Sequence, residues 1–374
     1  MQKQKEKENP GLNKKTVALL FGGRSCEHEV SLVSAAGILS NIDRDKYDLL
    51  LVKISKEGKW MLINHVSDDP ARNLSEADGD CVLTGDPSLK GFYVIEGEKK
   101  GQVLRVDVLF PVLHGTFGED GTVQGLAGLS NIPCVGSGVL GSALGMDKVM
   151  MKQLFIQSNL ETADFIWFLR SAWNKDPETI SRGVREAIGY PCFVKPANSG
   201  SSVGISKVSE EKELHEAVRL ACEFDRKVLV EKAVIGRELE CAVLGNDFPD
   251  VSVVGEIIPC NEFYDYQAKY LDNESRIIIP ADLPGNLTER IRYWSSAAFK
   301  SLDCAGFARV DFLIDRNDLH LYINEINTIP GFTPISMFTQ LWEASGISYA
   351  DLIDRLIELA VQRHQDILKN QFYR

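Results

Sequence analysis

Apolar positions along this chain follow two periods, and the architecture they predict changes where the period changes. Thr16 to Phe21 (TVALLF) is a short apolar run that breaks at Gly22-Gly23, and residues 29 to 39 (EVSLVSAAGIL) then carry apolar side chains at helical spacing. This predicts strand, glycine turn and helix. Further apolar runs at 47 to 54 and 106 to 113 predict strands that complete an open, mainly parallel sheet. Residues 60 to 104 between them are irregular and read as an insertion or hairpin. Residues 142 to 160 read as a helix, and from 190 onward short strands alternate with glycine loops. Strands are expected at 191–196, 204–208, 227–233, 238–244, 252–258, 307–314 and 320–326, with helices near 210–223, 286–302 and 349–368. The first part is therefore α/β and the rest α+β with antiparallel pairing, with a domain boundary near 140.

Length and composition narrow this picture. At 374 residues the chain exceeds one ordinary core and should divide into two or three domains. Its 44% hydrophobic and 25% charged residues match a globular protein, and no apolar run approaches the roughly 20 residues that cross a bilayer. Residues 1 to 15 are basic and polar without the apolar core of a signal peptide, so a flexible tail on a soluble cytoplasmic protein is expected. The net charge of −12 opposes general nucleic-acid binding, which needs a basic face, but allows a local basic pocket for a nucleotide. The eight cysteines lie at least 19 residues apart with no CxxC pair, so neither zinc nor a disulfide framework is expected.

The densest chemistry lies in Ala308-Arg309-Val310-Asp311-Phe312-Leu313 and Leu321-Tyr322-Ile323-Asn324-Glu325-Ile326-Asn327, joined through the polar turn 315–318. The pattern reads as a β-hairpin. Alternation puts Arg309 and Asp311 on one face of the first strand and Glu325 and Asn327 on one face of the second. With the turn centred near Asp318, Asp311 faces Glu325. Opposed carboxylates repel unless a cation lies between them, and an all-oxygen set suits magnesium. A solvated acidic face is the bland alternative, which the apolar flanks of both strands oppose.

A second segment runs from Pro191-Cys-Phe-Val-Lys195-Pro196 through Ala197-Asn-Ser-Gly-Ser201-Ser202-Val-Gly204. Such a glycine and serine loop offers backbone N–H groups and hydroxyls to phosphate oxygens, and Lys195 adds positive charge. It is not the Walker pattern, because no Gly-Lys-Ser or Gly-Lys-Thr opens a helix. In isolation a surface turn would be the better reading; its place beside Lys195 and before the acidic hairpin reverses that.

The turn after the first strand, Gly22-Gly-Arg-Ser-Cys-Glu27-His-Glu29, sits at the edge of the sheet where ligands bind in α/β folds. Glu29 is read as complementing the helix dipole, and Glu27, nearer the turn, as a partner for an ammonium. His114 ends another strand and is expected at the same crevice. Residues 261 to 280 are polar, aromatic and without regular pattern, as a lid would be, with Lys269 and Tyr270 as its contacts. Thr328 to Ser336 follows the hairpin directly, which would bring the Gly331 N–H and the Ser336 hydroxyl close to a reacting phosphate.

Taken together, GGRSCEHEVS, HGTFGEDG, MDK, VKPANSGSSVG, EKAVIGREL, YDYQAKY, ARVDF and NEINTIPGFTPIS resemble, in order, the motifs of the D-alanine:D-alanine ligases of the ATP-grasp superfamily. The resemblance runs from about residue 16 to near the C-terminus. It implies a three-domain ATP-grasp architecture: a tail at 1–15, an N-terminal α/β domain at 16–138, a central domain at 139–231 and a C-terminal domain at 232–374. It implies ATP as co-substrate and Mg2+ or Mn2+, as two ions, on Asp311, Glu325 and Asn327. Lys148, Lys195 and Ser202 match phosphate contacts, Glu231, Lys232, Ala233 and Val234 the strand that meets adenine, and Glu238 the ribose partner. Glu27, Ser201 and Tyr270 match a hydrogen-bonded set around the first D-alanine with His114 nearby, Arg309 and Gly331 the oxyanion donors, and Lys269 and Ser336 the contacts of the second D-alanine. The implied partners are two D-alanine molecules and ATP, in a cytoplasmic homodimer bound to neither membrane nor nucleic acid.

Four other readings compete. A ligase using D-lactate as second substrate would differ in the lid, where Tyr270 favours the dipeptide. Another ATP-grasp carboxylate-amine ligase would share Lys195, Asp311 and Glu325 but not segments 22–31 and 328–336. A non-catalytic nucleotide-binding regulator could lose Arg309 or a metal ligand, and none is missing. A dinucleotide-binding dehydrogenase needs a third, spaced glycine that Gly22-Gly23 lacks.

Overall fold

The computed structural model describes residues 14–63, 77–258, 276–333 and 335–371. It opens with β1 (Lys15–Gly22), α1 (His28–Asn41), β2 (Tyr47–Ile54), β3 (Trp60–Ile63), β4 (Gly79–Leu83), β5 (Gly91–Val94), β6 (Val103–Arg105) and β7 (Val108–Pro111). These strands form one sheet in the order β6-β5-β4-β3-β2-β1-β7. Only β1–β2 and β1–β7 pair in parallel; the remaining pairs are antiparallel, so the expectation of a mainly parallel sheet is corrected. Parallel neighbours need a long crossover, which α1 supplies between β1 and β2. The described residues of the stretch from 60 to 104 extend the sheet by antiparallel strands of three to five residues, in keeping with the hairpin reading and too short to display a period. β1 is buried on both faces from Val17 onward, which is why its sequence is continuously apolar.

Next come α2 (Thr122–Leu129), α3 (Val139–Met146) and α4 (Lys148–Gln157). The single helix expected over 142–160 is two, divided at Asp147. That residue is extended, with φ −84° and ψ 98°, and its carboxylate accepts the Val149 and Met150 N–H groups at 3.1 and 3.2 Å. An aspartate that caps a new helix does not continue an old one. The turn delivers Lys148 and Lys152 on one face of α4.

A second sheet follows from β8 (Phe165–Leu169), α5 (Arg170–Lys175), α6 (Pro177–Ala187), β9 (Cys192–Pro196), β10 (Ser206–Val208), α7 (Leu214–Phe224) and β11 (Lys227–Lys232). Its order is β10-β9-β11-β8, all antiparallel, over a core that includes Phe168, Val194, Val218 and Val230. The edge strand β8 falls outside the strands expected from sequence.

The third sheet contains β12 (Gly236–Gly245), β13 (Asp250–Ile258), β14 (Arg276–Ile278), β15 (Gly306–Asp315) and β16 (Leu321–Asn327), with α8 (Gly285–Ser301), α9 (Met337–Ala344) and α10 (Tyr349–Ile367). The order is β14-β13-β12-β15-β16, antiparallel throughout. One apolar core joins Val17 and Phe110 of the first sheet to Phe307, Phe332, Trp342 and Ile357 around the third, so these two sheets are locked together. Among the described residues no helix is long and apolar enough to cross a membrane.

Candidate functional site

The hairpin forms as its pattern requires. Asp311 stands opposite Glu325 and Arg309 opposite Asn327. From Ile314–Leu321 to Phe312–Ile323 the register is regular, and a bulge then leaves Asn324 between Ile323 and Glu325. Without that extra residue Asp311 would face Asn324. Arg309 donates through Nε and Nη2 to both oxygens of Asp311 at 2.7 Å, and Asn327 Nδ2 donates to Asp311 Oδ2 at 3.0 Å. Glu240, across β12 from Asp311, lies 3.0 Å from Arg309 Nε. Burial opposes the guanidinium charge, but Asp311 and Glu240 outweigh it and hold Arg309 above its ordinary range.

Three carboxylates therefore line one row across β12, β15 and β16. Among the described residues no cluster of three His, Cys, Asp or Glu side chains would cage a metal alone. Magnesium asks for less: one or two carboxylates, with phosphate oxygens and water completing its shell. Asp311, Glu325 and the Asn327 side-chain oxygen fit that requirement. Glu240 was not anticipated, although Glu238-Leu239-Glu240 places two glutamates on one face of a strand.

Lysines surround this row. Lys148 Nζ donates to the Ser199 carbonyl at 2.7 Å and lies 3.6 Å from Glu325 Oε2. One turn further along α4, Lys152 is 1% exposed. It donates to Glu231 Oε1 at 2.5 Å and to the Asn324 carbonyl, in the bulge, at 3.0 Å. Lys195 on β9 donates to Glu231 Oε2 at 2.8 Å. Burial would raise the Glu231 carboxyl, but Lys152 and Lys195 overcome that and hold it below the usual range. Burial likewise opposes the Lys195 charge, and Glu231 holds it above its ordinary value. Lys152 escaped the sequence reading although its spacing of four from Lys148 was visible.

The strand expected to meet adenine is already engaged at several of its groups. The Glu231 side chain is committed to two lysines, and the N–H groups of Lys232 and Ala233 donate to the carbonyls of Asp164 and Pro191 at 2.9 and 3.1 Å, so those two amides are not available to a base. Val234 lies half-buried at the β11–β12 turn, and Glu238, on β12, adds to the field that raises Lys195. Ser202 sits in the glycine and serine loop with φ 59°, beside Ser201 at φ 44°. Left-handed non-glycine residues in succession mark a strained loop, the kind held at functional sites.

That loop meets the first sheet at Glu27. Glu27 occupies the N-cap position of α1 without capping it. Its carboxylate accepts the Ser201 hydroxyl instead. A Cβ on Gly200 would come within 2.1 Å of Glu27 Oε2, and one on Gly115 within 2.6 Å, so a side chain at either position would displace the Glu27 carboxylate. Ser25 Oγ accepts the Glu27 N–H at 3.1 Å and donates to the His114 carbonyl at 2.8 Å, tying the two turns together. Glu29 pairs with Lys56 at the surface at 2.7 Å, away from the site.

His114 is 3% exposed, and both ring nitrogens are engaged. Nδ1 lies 2.9 Å from the Ile329 carbonyl, which only accepts, so Nδ1 carries the hydrogen; Nε2 then accepts from Ser34 Oγ at 3.0 Å. As placed, it offers no ring nitrogen to a substrate, against the expected contact. Burial holds it below its usual pKa despite the Glu27 charge. Ser336 Oγ accepts the Thr333 N–H at 3.0 Å and sits 3.2 Å from where a Gly331 Cβ would be, so Gly331 and Ser336 do adjoin. Lys269, Tyr270 and most of 261–280 lie outside the described residues.

Known proteins match most of the chain. Two family models fit the chain: D-ala D-ala ligase N-terminus over residues 16–137 and D-ala D-ala ligase C-terminus over 154–358. The D-alanine--D-alanine ligase of Acetivibrio thermocellus is 49% identical over 372 residues, covering 96% of this chain and 98% of the relative. That of a Thermoanaerobacter species is 49% identical over 357 residues, covering 95% and 99%. Among solved structures, the VanG D-Ala:D-Ser ligase from Enterococcus faecalis superposes with a TM-score of 0.83 at 37% identity, covering 93% of this chain and 99% of that one. The D-alanine-D-alanine ligase from Coxiella burnetii gives 0.81 at 34%, covering 95% and 96%.

Proposed function

The chain belongs to the D-alanine:D-alanine ligase family, and from that premise we propose that it joins two D-alanine molecules at the expense of ATP, as a step in peptidoglycan synthesis. The observation that carries the reading is a chain of contacts that runs from Glu27 to Ser201 in the loop after β9, from Ser199 of that loop to Lys148, and from Lys148 to Glu325, Asp311 and Arg309.

In this mechanism Glu27 holds the ammonium of the first D-alanine, and the carboxylate oxygen of that D-alanine attacks the γ-phosphorus of ATP, displacing ADP and forming D-alanyl phosphate. Lys148 and Lys195 meet the phosphates, with Ser202 and the loop backbone over them. Val234 and the Glu231–Ala233 backbone flank the adenine, and Glu238 the ribose. A magnesium or manganese ion, or a pair of them, on Asp311, Glu325 and Asn327 would neutralise charge on the phosphate oxygens. The neutral amine of the second D-alanine then attacks the acyl carbonyl. Arg309 and the Gly331 N–H stabilise the tetrahedral oxyanion, and the C–O bond to phosphate breaks as the amide forms. Ser336 and Lys269 receive the second carboxylate, and Tyr270 joins Glu27 and Ser201, as the family motifs imply.

The sheets over Lys15–Pro111, Phe165–Lys232 and Gly236–Asn327 support domains at 16–138, 139–231 and 232–374. A cytoplasmic location follows from the need for ATP, and a homodimer is the assembly we assign; sedimentation tests it. D-Serine as second substrate is a second reading, favoured by the structural match to a D-Ala:D-Ser ligase.

The deciding experiment is phosphate release from Mg-ATP with D-alanine, L-alanine, or D-alanine plus D-lactate or D-serine, in wild type and Arg309→Ala. Phosphate release that needs only D-alanine, with dipeptide formation lost in the variant, supports the proposal. No dependence on D-alanine sinks it, and product formed only with D-serine or D-lactate moves the assignment to that relative.

A further inference from the structure

Residue 329 is held at both ends of its backbone by one loop of the first sheet. Glu119 Oε2 accepts the Ile329 N–H at 3.1 Å, and Glu119 Oε1 accepts the Gly115 N–H at 2.9 Å. His114, five residues earlier in the same loop, donates to the Ile329 carbonyl at 2.9 Å. Ser34 of α1 accepts the Phe332 N–H at 3.3 Å while its hydroxyl serves His114. Gly331 lies between these anchors. The side chains of Ile329 and Phe332 are 3% and 1% exposed, and the Phe332 ring packs against Phe110, Phe307 and Phe338. The turn carrying Gly331 is thus suspended from the first sheet.

We propose that Glu119 is a positioning residue for amide formation: its carboxyl group fixes the Ile329 amide and, through that turn, aims the Gly331 N–H at the oxyanion. The proposal rests on the reading of Gly331 as an oxyanion donor. Burial and the neighbouring Glu27 charge push the Glu119 carboxyl up to about 8, so the group is kept where its charge is costly, and the two N–H groups are what it serves there.

Misaiming an oxyanion donor slows the second chemical step but not the first. D-alanyl phosphate then waits, and water attacks it, returning D-alanine and phosphate without dipeptide. Phosphate released per dipeptide formed therefore separates a positioning role from a merely structural one. Glu119→Ala removes both acceptors; Glu119→Gln copies the neutral acid and keeps one. For the full chain with Mg-ATP and D-alanine, we expect dipeptide kcat to fall about 10- to 100-fold in Glu119→Ala, less than the 100- to 1,000-fold typical of deleting a donor outright. Phosphate per dipeptide should exceed one and the ATP KM stay within about twofold, with Glu119→Gln intermediate in both rate and coupling. If Glu119→Ala does not fold, Glu119→Gln decides. A folded variant with a ratio of one, whatever its rate, overturns the proposal. Arg309→Ala, run alongside, separates the two readings: if it uncouples and the Glu119 variants do not, only the Glu119 assignment fails; if it also keeps a ratio of one, the oxyanion reading fails.

Discussion

Ser201 donates its hydroxyl hydrogen to the Glu27 carboxylate, joining the loop after β9 to the first turn of α1 across 174 positions of sequence. The bond explains why Glu27 sits at a cap position without capping, and why Gly115 and Gly200 crowd its oxygens. A hydrogen bond to a charged group contributes about 1.5–3 kcal/mol. Ser201→Ala should raise the KM for D-alanine by about tenfold or more with the ATP KM little changed, and Glu27→Gln should do so more strongly, as initial-velocity measurements with each substrate varied would show. Equal effects on both substrates would refute a local role.

Asp311 and Glu325 face each other in the β15–β16 register, with Arg309 and Asn327 on the adjacent pair. Glu325→Gln and Asp311→Asn keep the volume and remove a charge each. Both should shift the magnesium dependence of activity to concentrations about 10- to 100-fold higher, judging by what even outer partners of metal ligands cost. Calorimetric titration of Mg2+ into the ADP-bound protein checks binding apart from turnover.

Lys152 is a buried ammonium bonded to Glu231 and to the Asn324 carbonyl. Removing one member of a buried pair costs about 3–5 kcal/mol because it strands the other charge. Lys152→Met should lie near the lower bound, since Lys195 still reaches Glu231 at 2.8 Å. Urea unfolding of the variant measures it. A loss below about 1 kcal/mol would mean that the pair does not hold the second and third sheets together.

His114 is held below its ordinary value of 6.5 by burial. The neutral ring therefore contributes fully above pH 6.5, and that contribution is lost as pH falls from there through the lower folded value. Thermal midpoints across this window should fall less steeply in His114→Gln than in wild type. Identical slopes would place the acid sensitivity elsewhere.

Much of this was legible in the chain itself. Apolar runs marked β1, β2, β15 and β16 almost to the residue, because strands buried on both faces or opposite a core leave an unbroken or alternating apolar trace. Alternation alone put Arg309 with Asp311 and Glu325 with Asn327, and the family motifs supplied the rest of the proposed site. The tertiary structure decided what depends on partners distant in sequence. Short antiparallel strands between 60 and 104 carry no period and exist because β2 offers an edge to pair with. The facing of Asp311 and Glu325 needs a bulge at Asn324 that no residue preference announces. Lys152 reads as one more lysine on a helix until Glu231, 79 positions on, is seen against it. His114 and Glu119 hold Ile329 only because one apolar core presses the first and third sheets together, and that contact is a property of packing between distant segments, not of any window of sequence.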